Sequence, residues 1–115
     1  MKNIQLIASD IDGTLLLNGS QAIDPEIFNL IHQLKQKDIL FMAASGREYT
    51  NLRDLFSPVA DDIAYLCLNG CITFYKGECI SKEVMDTELA RKLITTIQND
   101  SNAEVLVSGE KTCYI

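Results

Sequence analysis

The chain has 115 residues, 47% of them hydrophobic, enough for one domain with a core of its own. Lys and Arg total 10 against 16 for Asp and Glu, a net charge of −6 with no basic cluster, which excludes nucleic acid or an anionic membrane as the expected partner. The amino end lacks the basic start and long apolar core of a signal peptide and no run reaches the length of a membrane span, so a soluble cytoplasmic protein is expected.

Four cysteines, Cys67, Cys71, Cys79 and Cys113, form no C-x-x-C pair, and the single His32 leaves no set of zinc ligands. They read as reduced thiols, three of them placed among apolar or β-prone residues as small buried hydrophobes.

The first element is an almost unbroken apolar run from Ile4 to Ser9, read as a buried strand, that delivers Asp10 and Asp12 into a turn with Gly13 and Thr14. Carboxylates on alternate residues of an extended segment point the same way, and a hard divalent cation such as Mg²⁺ prefers oxygen ligands of this kind. An acidic pocket on an acidic chain accepts a phosphate monoester only if a cation supplies the missing positive charge. With that ion, one aspartate can attack phosphorus and the other can protonate the leaving oxygen and later activate water. Gly13 permits the sharp turn and Thr14 can hold it by hydrogen bonding. A bare D-x-D could equally be a solvated acidic loop, but the four fixed residues of D-x-D-G-T arise by chance in a chain of this length only on the order of once in a thousand.

Leu16 to Gln21 reads as a loop. Asp24-Pro25-Glu26 starts a helix, with Asp24 as N-cap and proline where no amide hydrogen is needed; Ile27, Leu30, Ile31 and Leu34 form its apolar stripe. His32 lies off that stripe as a solvated residue, and Asp38 is expected to take the left-handed position that ends the helix. Ile39 to Ala44 is a second buried strand that runs into Ser45-Gly46-Arg47. Ser45 can either cap the helix of about Glu48 to Phe56 or present its hydroxyl and the next amides to a phosphate oxygen. Asp61-Asp62 is read as a solvated acidic turn. Ile63 to Leu68 is a third strand, and Asn69-Gly70 after it is a strong hairpin signal. Cys71 to Tyr75 and Glu78 to Ser81, around Lys76-Gly77, read as a small β-hairpin. Asp86 caps a helix to about Asn99, followed by strands over 103–108 and 111–115.

The string Asp10-Ile11-Asp12-Gly13-Thr14-Leu15 resembles the first motif of the haloacid dehalogenase (HAD) superfamily of phosphohydrolases. Ala44-Ser45-Gly46-Arg47 and Leu68-Asn69-Gly70 match its Cof-type branch, in order and at suitable intervals. The resemblance implies an α/β fold: a Rossmann-like core with a partial parallel sheet over residues 1–81, then the beginning of an α+β cap domain over 82–115. It implies a Mg²⁺-dependent phosphatase of small phosphorylated metabolites such as sugar phosphates. Asp10 would be nucleophile and metal ligand, and Asp12 general acid and base, with its backbone carbonyl as a further ligand. Ser45, Gly46, Arg47, Asn69, Gly13 and Thr14 would serve phosphate or substrate.

The family's lysine and its later acidic loop follow the cap, so no residue here is assigned to them; Lys76, Lys82, Lys92 and Lys111 fall in hairpin or cap segments. The chain alone is therefore expected to have little or no turnover, and its first strand, central in the family, is expected to be an exposed edge open to homo-oligomer formation. Two other readings are a non-catalytic truncated relative acting as a binding or interaction protein, and a receiver-like signalling domain. The Gly-Thr after the acids and the cap-like segment disfavour the receiver.

Overall fold

Apolar runs of four or five residues build a sheet, and helices with one apolar stripe cover it. The computed structural model describes residues 3–100, 102–111 and 113–115. Its elements are β1 (Leu6–Asp10), α1 (Pro25–Gln36), β2 (Leu40–Ala44), α2 (Tyr49–Leu55), β3 (Ala64–Cys67), β4 (Ile72–Tyr75), β5 (Glu78–Lys82), α3 (Thr87–Gln98), β6 (Val107–Ser108) and β7 (Cys113–Tyr114). The five-stranded sheet has the order β1-β2-β3-β4-β5. β1, β2 and β3 run parallel through helical crossovers, whereas β3, β4 and β5 form an antiparallel meander. The fold is thus the α/β, Rossmann-like core expected from the sequence, with a mixed sheet.

Local chemistry sets the helix ends. The Asp24 side chain accepts from the Glu26 amide at 3.0 Å, and Pro25 takes the first helical position of α1. At the other end Ile39 N–H donates to Leu34 and Asp38 N–H to Lys35, with Asp38 at φ 57°, so an aspartate fills the left-handed position usual for glycine. Asp86 caps α3 through the Leu89 amide.

The core lies between sheet and helices and is aromatic at its centre. Phe41 and Phe56 pack at 6.0 Å, Phe28 meets Phe56 edge-on, and Tyr49 of α2 stacks on Phe74 of β4 at 3.9 Å. Among the described residues the buried core ends at Phe74. α3 buries no residue fully: of its apolar stripe Leu89 and Leu93 are exposed, and Ala90, Ile94 and Ile97 are half-buried. The radius of gyration is accordingly 16.8 Å, where a compact chain of about 100 residues has about 13 Å. No helix among the described residues is long and apolar enough to cross a membrane.

Several expectations are corrected. β1 is not buried: it is the sheet edge, with Leu6 48% and Ile7 36% exposed, because nothing among the described residues pairs with its outer side. The exposed edge expected at the first strand is what the sheet presents among the described residues. Of the cysteines only Cys67 is buried, since Cys71 and Cys79 sit on the exposed turn and edge strand and Cys113 is half-buried; all four are free. Asp61 and Asp62 do lie in an acidic turn with Asp61 exposed, and there Arg53 and Lys35 pair with them, linking the start of β3 to α2 and α1. The last two strands shrink to two residues each, too short to bury an apolar face.

Candidate active site

The parallel register brings three loops together. Asp10 pairs with Ala44, and Ala44 with Leu66, so the carboxyl ends of β1, β2 and β3 share one edge of the sheet, where open α/β folds place their ligands.

The first loop is a tight turn anchored by buried Ile11 and Leu16. The amides of Thr14, Leu15 and Leu16 all donate to the Ile11 carbonyl at 2.9–3.1 Å, and Gly13 N–H donates to Leu16. Gly13 has φ 81° with open space around it, so its role is the backbone conformation rather than close approach to a neighbour. β1 ends at Asp10, yet Ile11 is fully buried between two exposed acids, so the alternation expected of Asp10 and Asp12 survives into the turn. The Thr14 hydroxyl donates to Asp10 Oδ2 at 2.9 Å. The turn's backbone hydrogen bonds close on Ile11 and Leu16 and leave the Asp12 carbonyl outside them.

Arg47 joins the first loop to the second. Its Nε donates to Asp12 Oδ2 at 2.9 Å and its Nη2 to Oδ1 at 2.7 Å, a two-pronged pair. These hydrogen bonds hold the Asp12 carboxyl below its ordinary range. The third prong, Nη1, donates to Asn51 Oδ1 at 2.6 Å. Ser45 is nearly buried and does not cap α2, whose N-cap is Glu48; its Oγ instead accepts from the Arg47 amide at 3.0 Å.

The third loop presses on the second. Asn69-Gly70 lies in the connection of the hairpin expected there, between antiparallel β3 and β4, and Leu68, Asn69 and Gly70 all have positive φ, of 50°, 57° and 97°. Leu68 N–H donates to the Arg47 carbonyl and Asn69 N–H to the Ser45 carbonyl, at 3.1 and 3.0 Å. Two non-glycine residues in this region mark stored backbone strain of a kind that gathers at functional sites. A cavity of about 820 Å³ opens from Gly46 and Asn69 toward the apolar side chains of Met85, Leu93 and Leu106.

All eight residues singled out from the sequence therefore lie on these three loops: Asp10, Asp12, Gly13 and Thr14 on the first, Ser45, Gly46 and Arg47 on the second, Asn69 on the third. Asn51 was missed; its signal was a polar residue four positions after Arg47 at a helix start. Glu48 was also missed, and one of its carboxylate oxygens is buried without a hydrogen-bond partner among the described residues.

As a cation site the set is small. Mg²⁺ takes six oxygens, and no cluster of three or more His, Cys, Asp or Glu occurs among the described residues. Both Asp12 carboxylate oxygens accept from Arg47, which leaves the second Asp10 oxygen and the Asp12 carbonyl without a hydrogen bond among the described residues. These two fit part of a magnesium shell.

A fold of this topology with an acidic turn at its first strand defines a class, and comparison with known proteins gives it a name. The haloacid dehalogenase-like hydrolase family profile matches residues 7–115, and the chain belongs to that family. It is 28% identical over 116 residues to the 5-amino-6-(5-phospho-D-ribitylamino)uracil phosphatase YbjI of Escherichia coli, covering 97% of this chain and 41% of that protein. It is 32% identical over 97 residues to a phosphoglycolate phosphatase of Sulfolobus acidocaldarius, covering 84% and 41%. The crystal structure of SMU.1108c from Streptococcus mutans superposes with a TM-score of 0.81 at 30% identity, over 98% of this chain and 43% of that one. The chain thus spans about two-fifths of the length of the curated relatives it matches.

Proposed function

We propose that the chain carries the amino-terminal part of a Mg²⁺-dependent phosphatase active site, for small phosphorylated metabolites such as sugar phosphates, acting through an aspartyl-phosphate on Asp10. The observation that carries the reading is Asp10 at the tip of β1, with one oxygen held by Thr14 and the other available, beside a guanidinium and a serine on the next loop. The named relatives that are phosphatases support it.

In this reading Asp10 attacks phosphorus, forming the new P–O bond as the bond to the leaving oxygen breaks. Asp12 gives that oxygen a proton, then takes one from the water that cleaves the acyl-phosphate and restores Asp10. Ser45, the Gly46 amide and Asn69 hold the phosphoryl oxygens, and Arg47 leaves Asp12 to meet phosphate charge. Gly13 and Thr14 keep the turn in shape. Magnesium, held by Asp10 and Asp12, would offset the charge of nucleophile and substrate so that the two anions can meet.

Residues 1–81 serve as the core of this site and 82–115 as the start of a cap, whose cavity beside Gly46 leaves room for the rest of the substrate. Nucleic acid and membrane are not expected partners, the cytoplasm is the expected location, and the chain alone is expected to turn over little.

Calorimetric titration of the purified chain with MgCl₂ and inorganic phosphate tests the proposal. Coupled binding that Asp10→Asn abolishes is expected; no binding above background would leave the motif a relic in a non-catalytic relative. Brisk Asp10-dependent hydrolysis of p-nitrophenyl phosphate by the chain would instead overturn the expectation of low turnover.

A further inference from the structure

We infer that Asn51 is a positioning residue, which aims the Arg47 guanidinium at Asp12 and so controls the carboxylate to which the proposed reaction gives the proton transfers. The importance of that carboxylate rests on the proposed function; the positioning itself does not.

Arg47 belongs to no helix or strand, and a guanidinium on a flexible stem can turn toward any acceptor nearby. Here its backbone is fixed at both ends, the amide by Ser45 Oγ and the carbonyl by Leu68 N–H. The side chain then needs one more fixed point to choose a direction. Asn51, in the first turn of α2, supplies it through Oδ1 at 2.6 Å from Nη1. With Nη1 pinned, the remaining edge of the planar fork, Nε and Nη2, faces both oxygens of Asp12.

The residue type matters. An aspartate at 51 would be a second anion competing for the same guanidinium, whereas a neutral amide oxygen orients it and leaves its charge to Asp12 or to an arriving phosphate. Asn51 is therefore a pivot: Arg47 can release Asp12 for a phosphate dianion and return without losing its third bond.

The test follows the Arg47 Nε–H proton by NMR in the ¹⁵N-labelled full chain, with the signal assigned by its loss in Arg47→Lys. Slow solvent exchange is expected in the unmodified chain, with marked acceleration in Asp12→Asn. Asn51→Ala should accelerate exchange about three- to tenfold by removing one exposed hydrogen bond. Asp54→Ala, elsewhere on α2, controls for general loosening of the helix. The inference is overturned if Asn51→Ala leaves exchange within about twofold of the unmodified chain, a change smaller than the loss of one such bond brings. It is overturned equally if Asp54→Ala has the same effect, or if the proton is unprotected from the start. None of these readings depends on turnover, so failure of magnesium and phosphate to bind would sink the proposed function and leave this result standing.

Discussion

A β-carbon on Gly46 would stand 3.0 Å from Oδ1 of Asn69 and 3.3 Å from its Nδ2. The Asn69 amide thus occupies the space that any larger residue at 46 would need, and two loops distant in sequence are packed backbone against side chain. Two backbone hydrogen bonds, from Leu68 and Asn69 to Arg47 and Ser45, lock the same contact.

Gly46→Ala will shift the Asn69 amide by a few tenths of an ångström and lower stability by about 1 kcal/mol, the low end of overpacking costs, because both residues are exposed and the contact is with the end of a side chain. Urea unfolding measures it. Asn69→Gly in the same chain should recover most of the loss, since it removes the clash and suits the left-handed backbone at 69. A single Gly46→Ala variant as stable as the original would mean that the loops part readily.

Asp38→Gly will raise stability by about 0.5–1 kcal/mol, because an aspartate at φ 57° is strained where glycine is not, and a negative charge sits badly at a helix carboxyl end. Thermal unfolding at neutral pH should show the midpoint rise. A fall would show that the Asp38 side chain makes a compensating interaction.

Burial pushes the Cys67 thiol up to about 11. The unfolded chain therefore loses this proton at lower pH than the folded one, so the thiol's contribution to stability is whole below about pH 9 and is lost as pH rises through about 11. Denaturation measured from pH 8 upward should show this decline, and Cys67→Ala should flatten it. Iodoacetamide at pH 8, followed by peptide mass analysis, should label exposed Cys71 and Cys79 and spare Cys67 in the folded chain.

The open edge of β1 predicts association of the isolated chain, since backbone groups unpaired among the described residues and flanked by Leu6 and Ile7 invite strand addition. Light scattering should show mass rising with concentration, and Ile7→Lys should reduce it by setting a charge on the strand. A monodisperse monomer across the range would refute this.

Much of this protein was legible in the order of its residues. Each parallel strand is a short apolar run closed by a turn, and α1 and α3 start on their own aspartate caps, so element positions and the three loops of the site follow from local chemistry at Asp10, Ser45, Asn69, Asp24 and Asp86. The family follows too, because Asp-x-Asp-Gly-Thr binds residue type to position tightly. Local pattern could not tell how deeply a run is covered. Ile4 to Ser9 reads as interior, yet β1 is an edge, since burial depends on which strands lie beside it. Nor could it pair charges across the chain: Asp12 finds Arg47 thirty-five residues away only because the parallel register sets the ends of β1 and β2 side by side. Composition and short-range spacing thus determined the parts and their chemistry. Tertiary structure alone decided which donor faces which acceptor, because hydrogen bonds reach about 3 Å and only the folded sheet brings distant loops within that range.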